Sequence, residues 1–495
     1  MGKFYVTTPI YYVNDKPHIG HAYTNIAADM LARWHRLKGD EVFFLTGTDE
    51  HGEKVAKAAA KAGENPKEFV DRVSEEFKTA WKTLNISYDR FIRTTEDGHI
   101  KTVTEFIRKV FDNGYIYKGE YEGWYCLPDE TFWTELQLKE GRCPECGREV
   151  SKIKEETYFF KLSKFQDRLL DLYSKNPKFL SPSFRSSEII NRVKEGLKDI
   201  SISRPNVAWG IPFPYDEKHT IYVWVDALIN YLSALGWPDG TFGKFWPADV
   251  HLMAKDINWF HTVIWPALLL AAGVEPPQKI FAHGFWTVEG RKMSKSLGNT
   301  LDPLAIAKKY STDALRYFLF KEMPFGEDGN FSEEEFVARI NGELVADLGN
   351  LVYRALTLTE RYTGNIDGVP ELDAELHLDS IVKLMDDLDL CGALNEIWTL
   401  VRATNKYVNQ KEAWKLEGSA LGAVLYNLLE SCRIIAILLY PFMPETSESI
   451  NAQLGVKRGS LKDCGFRKFE GSVKKGAYLF QKVKTGPQPA AQSKA

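Results

Sequence analysis

At 495 residues the chain is too long for one ordinary hydrophobic core, which predicts two or three domains. Its 44% hydrophobic, 26% charged and 13% aromatic residues are globular in character, and a mean hydropathy of -0.30, with apolar runs such as Val263 to Val274 too short to cross a bilayer, argues against a helical membrane protein. A net charge of -4 and a pI near 6.3 exclude the overall basic footprint of many nucleic-acid binders, so any such binding must use local surface; the densest cationic run is Lys457 to Lys484.

The first residues lack the basic start, long apolar run and small-residue cleavage site of a leader, which predicts a cytoplasmic protein without a membrane anchor. Phe4 to Thr8 reads as a strand, and Ala22, Ile26, Met30, Trp34 and Leu37 recur at helical spacing until Gly39 stops them. A second strand, Glu41 to Leu45, runs into Thr46-Gly47-Thr48-Asp49-Glu50-His51-Gly52 and another helix. This is the rhythm of a parallel α/β sheet, whose ligands bind at the carboxyl ends of its strands. Around Tyr115 the rhythm gives way to a Gly-, Tyr- and Trp-rich stretch holding Cys126, Cys143 and Cys146. It resumes near His219, with strands expected at Ile221 to Val225, Val250 to Met253 and Lys279 to Ala282, so an insertion splits one sheet. After Gly290 comes a short linking region in which Ser332 and Glu335 have capping-box spacing, and from about Gly342 to Lys484 nearly everything is expected to be helical. Thr485 to Ala495 has the composition of a disordered tail. Cys391, Cys432 and Cys464 are scattered through helical sequence, where small buried hydrophobes are expected.

Two short segments carry chemistry. Lys16-Pro17-His18-Ile19-Gly20-His21 places two imidazoles at a helix N-terminus, where the dipole and free amides favour an anion. Gly20 leaves room for a base or ribose against the backbone, and His18 and His21 can donate to phosphate oxygens as charge shifts; taken alone, such a pair is more often structural or incidental. Lys292-Met293-Ser294-Lys295-Ser296, followed by Leu297-Gly298-Asn299, is a basic loop that could close over a polyphosphate, its lysines acting as point charges; alone, it reads as solvent-exposed surface. Paired at opposite ends of a split α/β sheet, the two segments resemble the HIGH and KMSKS signatures of class I aminoacyl-tRNA synthetases.

Longer motifs resemble those of methionyl-tRNA synthetases over most of the chain: Thr7-Thr8-Pro9-Ile10-Tyr11-Tyr12-Val13-Asn14, the Thr46 to Gly52 segment, Tyr222-Val223-Trp224-Val225-Asp226-Ala227 and Lys255-Asp256-Ile257-Asn258-Trp259-Phe260-His261. The resemblance implies ATP-dependent joining of L-methionine to tRNA(Met), initiator included, through methionyl-adenylate, with Mg2+ accompanying ATP. It implies catalytic roles for His18, His21, Lys292 and Lys295. It implies nucleotide contacts from Gly20, Asp256, Arg204, Ser294 and Ser296, with Arg204 toward the phosphates. Asp49 is implied on the substrate ammonium, and Ile10, Tyr12, Trp224, Ala227, Leu228, Tyr231, Ile257, His261 and Trp265 around the side chain, where a polarisable thioether gains from aromatic edges. Positions 224, 227, 228 and 231, and again 257, 261 and 265, also share helix-face spacing and read equally as core.

Cys126-Leu127-Pro128-Asp129 and Cys143-Pro144-Glu145-Cys146-Gly147 resemble the zinc knuckle of the same family, three thiolates and one carboxylate forming a closed structural site for one Zn2+. Asp129 stands where many relatives carry cysteine; the alternative is three reduced, unmetallated thiols. Leu348-Gly349-Asn350-Leu351-Val352-Tyr353-Arg354 and Asn405-Lys406-Tyr407-Val408-Asn409 with Ala413-Trp414 resemble the family's anticodon-reading helices, which implies that Asn350, Arg354 and Trp414 pair and stack with unstacked bases; a buried core tryptophan is the alternative.

The expected fold class is α/β: a split, doubly wound, Rossmann-like parallel sheet with a zinc-knuckle insertion and a C-terminal α-helical bundle. The expected partition is 1–116 and 219–289 for the two halves of the catalytic domain, 117–218 for the insertion, 290–341 for the KMSKS loop and linking region, 342–484 for the anticodon-binding helices, and 485–495 for the tail. The rival readings are another class I synthetase, a nucleotidyltransferase of the same superfamily, and a catalytically dead tRNA-binding scaffold. The chain is too short for the editing insertion of the leucine, isoleucine and valine enzymes; a nucleotidyltransferase would lack the helical region; a dead scaffold has no use for His18, His21, Asp49 and Lys295. A monomer is the default, with room for a separate tRNA-binding subunit.

Overall fold

The computed structural model describes residues 2–13, 16–128, 131–133, 135–205, 207–292 and 301–484. Six parallel strands form the central sheet: β1 (Lys3–Tyr12), β2 (Glu41–Asp49), β3 (Arg90–Arg93), β4 (Leu180–Ser181), β5 (Val250–Ala254) and β6 (Ile280–His283), in the spatial order β3-β2-β1-β5-β6-β4. β1 is flanked by β2 on one side and by β5, from far along the chain, on the other, so the strand order reverses there and opens a crevice at the carboxyl ends of β1 and β5. Tyr5 and Val6 of β1 and Phe44 and Leu45 of β2 are wholly buried, the near-continuous apolar run of strands covered on both faces. The helix expected after β1 is α1 (Ile19–Lys38); Ile26, Met30 and Trp34 are wholly buried, and Gly39 ends it in the left-handed conformation at φ 88°. After β3, α2 (Asp97–Asp112) continues the alternation.

The insertion is built on a four-stranded antiparallel sheet in which Ile116–Cys126 pairs with Ser151–Phe160 along almost its whole length. Two details differ from the sequence reading. Leu180–Ser181, inside the expected insertion, returns to the central sheet as its edge strand, pairing with β6. The strand expected at Ile221 to Val225 ends at Ile221. It belongs to a separate three-stranded sheet with Ser203–Pro205, and α3 (Val223–Leu228) starts at once. An apolar run buried on all sides has no periodicity to separate strand from helix.

The expected linking region already contains a helix, α4 (Thr312–Lys321), and the part beyond it is helical, as expected, through α5 (Asn350–Glu360), α6 (Leu390–Gln410), α7 (Gly418–Leu439) and the helix Pro444–Leu454. α7 is long and apolar enough to cross a membrane, but 94% of that apolar window is buried inside the protein, where it forms the centre of the bundle. Beyond Leu454 the helical expectation fails. Gly455 terminates the last helix at φ 66°, and residues 456–484 contain only the single turn Leu461–Asp463. Glycines 459, 465, 471 and 476 interrupt every candidate helix there, and Phe466, Phe469, Leu479 and Phe480 instead lie down on the bundle. Ser332 accepts from the Glu335 amide at 3.4 Å and so supplies the expected N-cap.

One buried ion network ties the two parts together. Asp29, in the middle of α1, accepts at Oδ2 from Arg33 Nε (2.8 Å) and from Arg316 of α4 (2.6 Å), and at Oδ1 from the Ser87 amide (2.7 Å) and hydroxyl (2.6 Å). Arg316 is wholly buried and also donates to the carbonyls of Pro441 (2.8 Å) and Phe442 (2.9 Å) beyond α7. Burial by itself would raise the Asp29 carboxyl; Arg316 and Arg33 hold it below the ordinary carboxylate value. Replacing Arg316 by Ala leaves this carboxylate buried and half-paired, and is expected to cost about 3–5 kcal/mol in urea unfolding; a loss under about 1 kcal/mol, the scale of an exposed pair, would show that the network does not join the two parts.

Candidate active site and metal centre

The crevice at the end of β1 is closed by the start of α1. His18 is the N-cap, its Nδ1 accepting from the Gly20 amide at 3.1 Å, while His21 Nδ1 accepts from the His18 amide at 3.3 Å; the two side chains form a reciprocal capping box. The rings stack with centroids 3.7 Å apart. This corrects the expectation of free helix amides. The amides of His18 and Gly20 are taken by the imidazoles and that of Ile19 by the Leu301 carbonyl at 3.3 Å, so anion binding falls to the rings. Gly20 has a tighter reason too: a Cβ there would lie 3.0 Å from His18 Cε1, pressing on the ring that caps its own amide. With each Nδ1 an acceptor, a neutral ring carries its proton on Nε2 and is a donor there. Burial lowers the His18 pKa, and burial with the neighbouring His18 ring takes His21 well below its ordinary value, so both are neutral donors at pH 7.

The Ile19–Leu301 bond also fixes the far segment. Arg291–Lys292 forms the last described turn of backbone before 293–300, pairing antiparallel with Trp286–Val288, and Leu301 is the first described residue after it. Lys295, Ser294 and Ser296 lie outside the described residues, as does the side chain of Lys292.

On the amino-acid side, Ile10 and Tyr12 stand at the end of β1 and Asp49 at the end of β2, where Tyr12 pairs with Asp49 in register. Trp224, Ala227 and Leu228 come from α3; the Trp224 ring meets Tyr12 edge-on (6.5 Å) and stacks on Phe260 (4.2 Å). Tyr231 is buried, with its hydroxyl 2.7 Å from His261 Nε2, and His261 Nδ1 is 3.1 Å from the Ile257 carbonyl. Burial lowers the His261 pKa to about 4, the Ile257 contact only partly opposing it, so the ring is neutral at pH 7. Its Nδ1–H donates to Ile257, and Nε2 accepts from Tyr231. Trp265, wholly buried against Tyr231, Trp246 and Phe106, backs this layer and donates to His251 Nε2 at 3.3 Å. Groups remote in sequence thus come together here in two sets, Tyr12 with Trp224 and Phe260, and Tyr231 with His261 and Trp265.

Arg204 lies beside the crevice, its guanidinium donating to Ser201 Oγ and the Ser203 carbonyl (both 2.8 Å) and stacking on Tyr222 at 4.3 Å. With His51, Gly52, Trp209 and Tyr222 it lines a small cleft. Asp256 is exposed on the turn Lys255–Ile257 that directly follows β5.

In the insertion, Cys126 ends the strand Ile116–Cys126, while Cys143 and Cys146 sit on a tight turn closed by Gly147 N to Cys143 O (2.9 Å). The three ligand atoms lie within 4.8 Å of one another, with Cys126 and Cys146 sulfurs 3.5 Å apart. That is too far for a disulfide and matches thiolates converging on one ion. The cluster could hold a metal; Asp129 lies outside the described residues. In the bundle, Asn350 is exposed at the start of α5, Arg354 donates to Asn409 Oδ1 of α6 at 2.7 Å, and Trp414, four residues past the end of α6, is 56% exposed. The core alternative for Trp414 is excluded.

The family model described as tRNA synthetases class I (M) matches residues 4–153 and 149–356. A methionine–tRNA ligase of Caldanaerobacter subterraneus subsp. tengcongensis is 48% identical over 99% of this chain and 80% of that relative, and one of Thermotoga maritima is 48% identical over 97% and 80%. The chain belongs to the methionine–tRNA ligase family. A solved Mycobacterium tuberculosis methionyl-tRNA synthetase in complex with methionyl-adenylate superposes with a TM-score of 0.92 at 42% identity, covering 97% of this chain and all of that one.

Beyond the residues that family resemblance supplied, the structure places two buried groups that sequence reasoning passed over. Glu50, next to Asp49, is wholly buried, receives Arg93 Nε and a second Arg93 nitrogen (2.6 and 2.9 Å) and accepts from Thr48 and Thr95. Asp226 of α3 bridges two histidines: Oδ2 lies 2.7 Å from His51 Nδ1 and Oδ1 2.7 Å from His99 Nε2, and His99 Nδ1 is 2.7 Å from Ser233 Oγ. The Asp-x-x-x-x-x-x-Ser spacing carries no signal; only folding brings His51, His99 and Asp226 together. Burial would raise the Asp226 carboxyl, but His51 and then His99 hold it down to about 2. The unfolded chain takes up this proton near the ordinary 3.8 and the folded chain only near 2, so acid favours unfolding through that window. Asp226 is expected to contribute about 2 kcal/mol that is present above pH 4 and lost as pH falls toward 2. Stability measured down that range should lose this limb in Asp226→Asn; an unchanged acid limb would refute the assignment.

Proposed function

We infer that this chain activates L-methionine with ATP to methionyl-adenylate and pyrophosphate, then transfers the methionyl group to tRNA(Met), initiator included, in the cytoplasm. The observation that carries the reading is the Ile19–Leu301 hydrogen bond, 3.3 Å long, which seats the end of the KMSKS-like segment on the helix that begins with His18. Lys295 is six residues from Leu301, a tether of at most about 20 Å, so its ammonium can reach the Nε2 atoms of His18 and His21.

In the first step a methionine carboxylate oxygen attacks the α-phosphorus and pyrophosphate leaves in line. His18 and His21 are neutral donors to the oxygens that gain charge, which leaves Lys292, Lys295 and the Mg2+ carried in with ATP to supply the compensating positive charge. Asp49 takes the ammonium, and the layer from Ile10 to Trp265 takes the thioether. Arg204 serves the phosphates, Asp256 and Gly20 the nucleotide, with Ser294 and Ser296 beside them. In the second step a ribose hydroxyl of the tRNA end takes the acyl group and AMP leaves. Asn350, Arg354 and Trp414 read the anticodon. Cys126, Cys143, Cys146 and Asp129 hold one structural Zn2+, the donor set of a closed tetrahedral site.

Pyrophosphate exchange assayed across the twenty amino acids should respond to methionine alone, and exchange with another amino acid would overturn the specificity. Lys295→Ala should slow adenylate formation at least about 100-fold while methionine binding changes little; equal losses in both would mean a ground-state role. Trp414→Ala should cripple tRNA charging and spare exchange. Metal analysis of the purified chain should find one zinc, lost or weakened in Asp129→Ala, and a metal-free native chain would remove the knuckle from the reading.

A further inference from the structure

The basic run Lys457 to Lys484 takes no part in the reading above, yet it holds nine Lys and Arg against only Asp463 and Glu470. The structure folds it onto the bundle and gives it an aromatic stack. Tyr353, on α5 between Asn350 and Arg354, lies face to face with Tyr478 of the basic run, ring centroids 4.3 Å and planes 17° apart. Lys475 Nζ stands 4.0 Å from the Tyr353 ring centre. Tyr353 is half-buried by these neighbours, whereas Tyr478 is 58% exposed.

Anchoring does not explain Tyr478. The segment is pinned on both sides of it by other means: Lys474 N to Gln453 O (2.8 Å) and Gly476 N to Gln453 Oε1 (2.8 Å) before it, and the reciprocal pair of Asn341 with the Val483 backbone (both 2.9 Å) after it. Leu479 and Phe480 next to it pack against the core. The ring is therefore held in place by its backbone and left open to solvent. Asn350, Tyr353 and Arg354 stand at i, i+3 and i+4 on one helix face, so the ring on which Tyr478 stacks springs from a position about one helical turn, about 5 Å, from the residues assigned to the anticodon. An exposed aromatic face, a cation beside it (here Lys475, with Glu360 as its counter-ion at 3.6 Å) and a rigid support are what a stacking site for single-stranded nucleic acid requires.

We propose that Tyr478, backed by Tyr353 and Lys475, is a second stacking platform that seats an anticodon-loop nucleotide next to those read by Asn350, Arg354 and Trp414. The proposal deepens the anticodon reading and rests on it. Stacking on a bare tyrosine tolerates any base, so the platform adds affinity while base choice stays with Asn350, Arg354 and Trp414. The surrounding lysines make that affinity salt-dependent.

The test uses the full chain and a fluorescent anticodon stem-loop hairpin of tRNA(Met), read by anisotropy, alongside tRNA charging, pyrophosphate exchange and thermal unfolding. Tyr478→Leu, which keeps apolar bulk without the π-face, and Tyr478→Ala should each weaken hairpin binding roughly tenfold, and Tyr478→Trp should restore it. Exchange and the unfolding temperature should stay at the unsubstituted values. The same loss should appear with a hairpin of altered anticodon. If Tyr478→Leu binds like the unsubstituted chain while Arg354→Ala loses binding, the platform is overturned and the anticodon reading stands. If Arg354→Ala also binds normally, both fall. A loss in Tyr478→Leu that Tyr478→Trp does not recover overturns the platform as well, because a stacking face must be replaceable by another.

Discussion

The buried carboxylate of Asp29 is the constraint on which the architecture turns. α1 begins at the reaction crevice and runs through the sheet's cover to the helical part, and at its midpoint Asp29 is saturated by Arg33, Arg316 and Ser87. Among the described residues Asp29 is the carboxylate ion-paired with the wholly buried Arg316, so α4 and the turn after α7 cannot slide along α1 without exposing two desolvated charges. The pair does little for stability beyond what apolar residues of like volume would give; it sets position. The crevice and the bundle therefore share a single frame, and the start of α5 stands in a defined position relative to the start of α1.

The same helix shows how burial decides chemistry. A helix N-terminus ordinarily offers its amides to an anion, but here the imidazoles of His18 and His21 consume them. What the helix presents instead is two Nε2–H groups, oriented by their own capping bonds and kept uncharged by burial. Neutral donors can follow charge onto a phosphate oxygen without gripping the resting polyphosphate, so they favour the transition state over the bound substrate. In the proposed mechanism full positive charge is left to the lysines of a separate segment, whose following residue Leu301 is tied to Ile19. Splitting donor and cation between segments about 270 residues apart would make the proposed site complete only when the fold is complete.

The central sheet was legible because its signals are local: α1 from the spacing of Ile26, Met30 and Trp34 and the stop at Gly39, and the site from its position at strand ends. The candidate site residues come from a different source, resemblance of motifs, since Trp224, Ala227, His261 and Trp265 have nothing but helix-face spacing to distinguish them from core. Where physics is non-local the reading failed. Val223 to Val225 form a helix because Asp226 has to reach His51 and His99, partners 175 and 127 positions away. The edge strand Leu180–Ser181 is two residues long and is a strand only because β6 offers it an edge. Residues 456–484 carry enough Lys, Leu and Phe to suggest helix, but their glycines and the receptive face of the bundle decide otherwise.

Two stretches of π-helix stand at the points where the scaffold meets the proposed ligands. Phe260–Ile264 carries His261, and Ile340–Gly349 runs directly into Asn350. Each π turn adds a residue to the circuit and so rotates the following helix face relative to the preceding one, at a cost in hydrogen-bond geometry that packing must offset. In the first, the wider turn coexists with His261 Nδ1 bonded back to Ile257 and Nε2 facing Tyr231, so the ring is fixed at both nitrogens. In the second, the rotation leaves Leu344, Leu348 and Leu351 buried while Asn350, Tyr353 and Arg354 emerge together on the outer face. A regular helix through Gly349 would shift that face by about 100°, carrying Asn350 away from the bundle's open side or Leu348 out of its core. The local irregularity lets one continuous helix keep Leu344, Leu348 and Leu351 in the core while Asn350 opens to solvent.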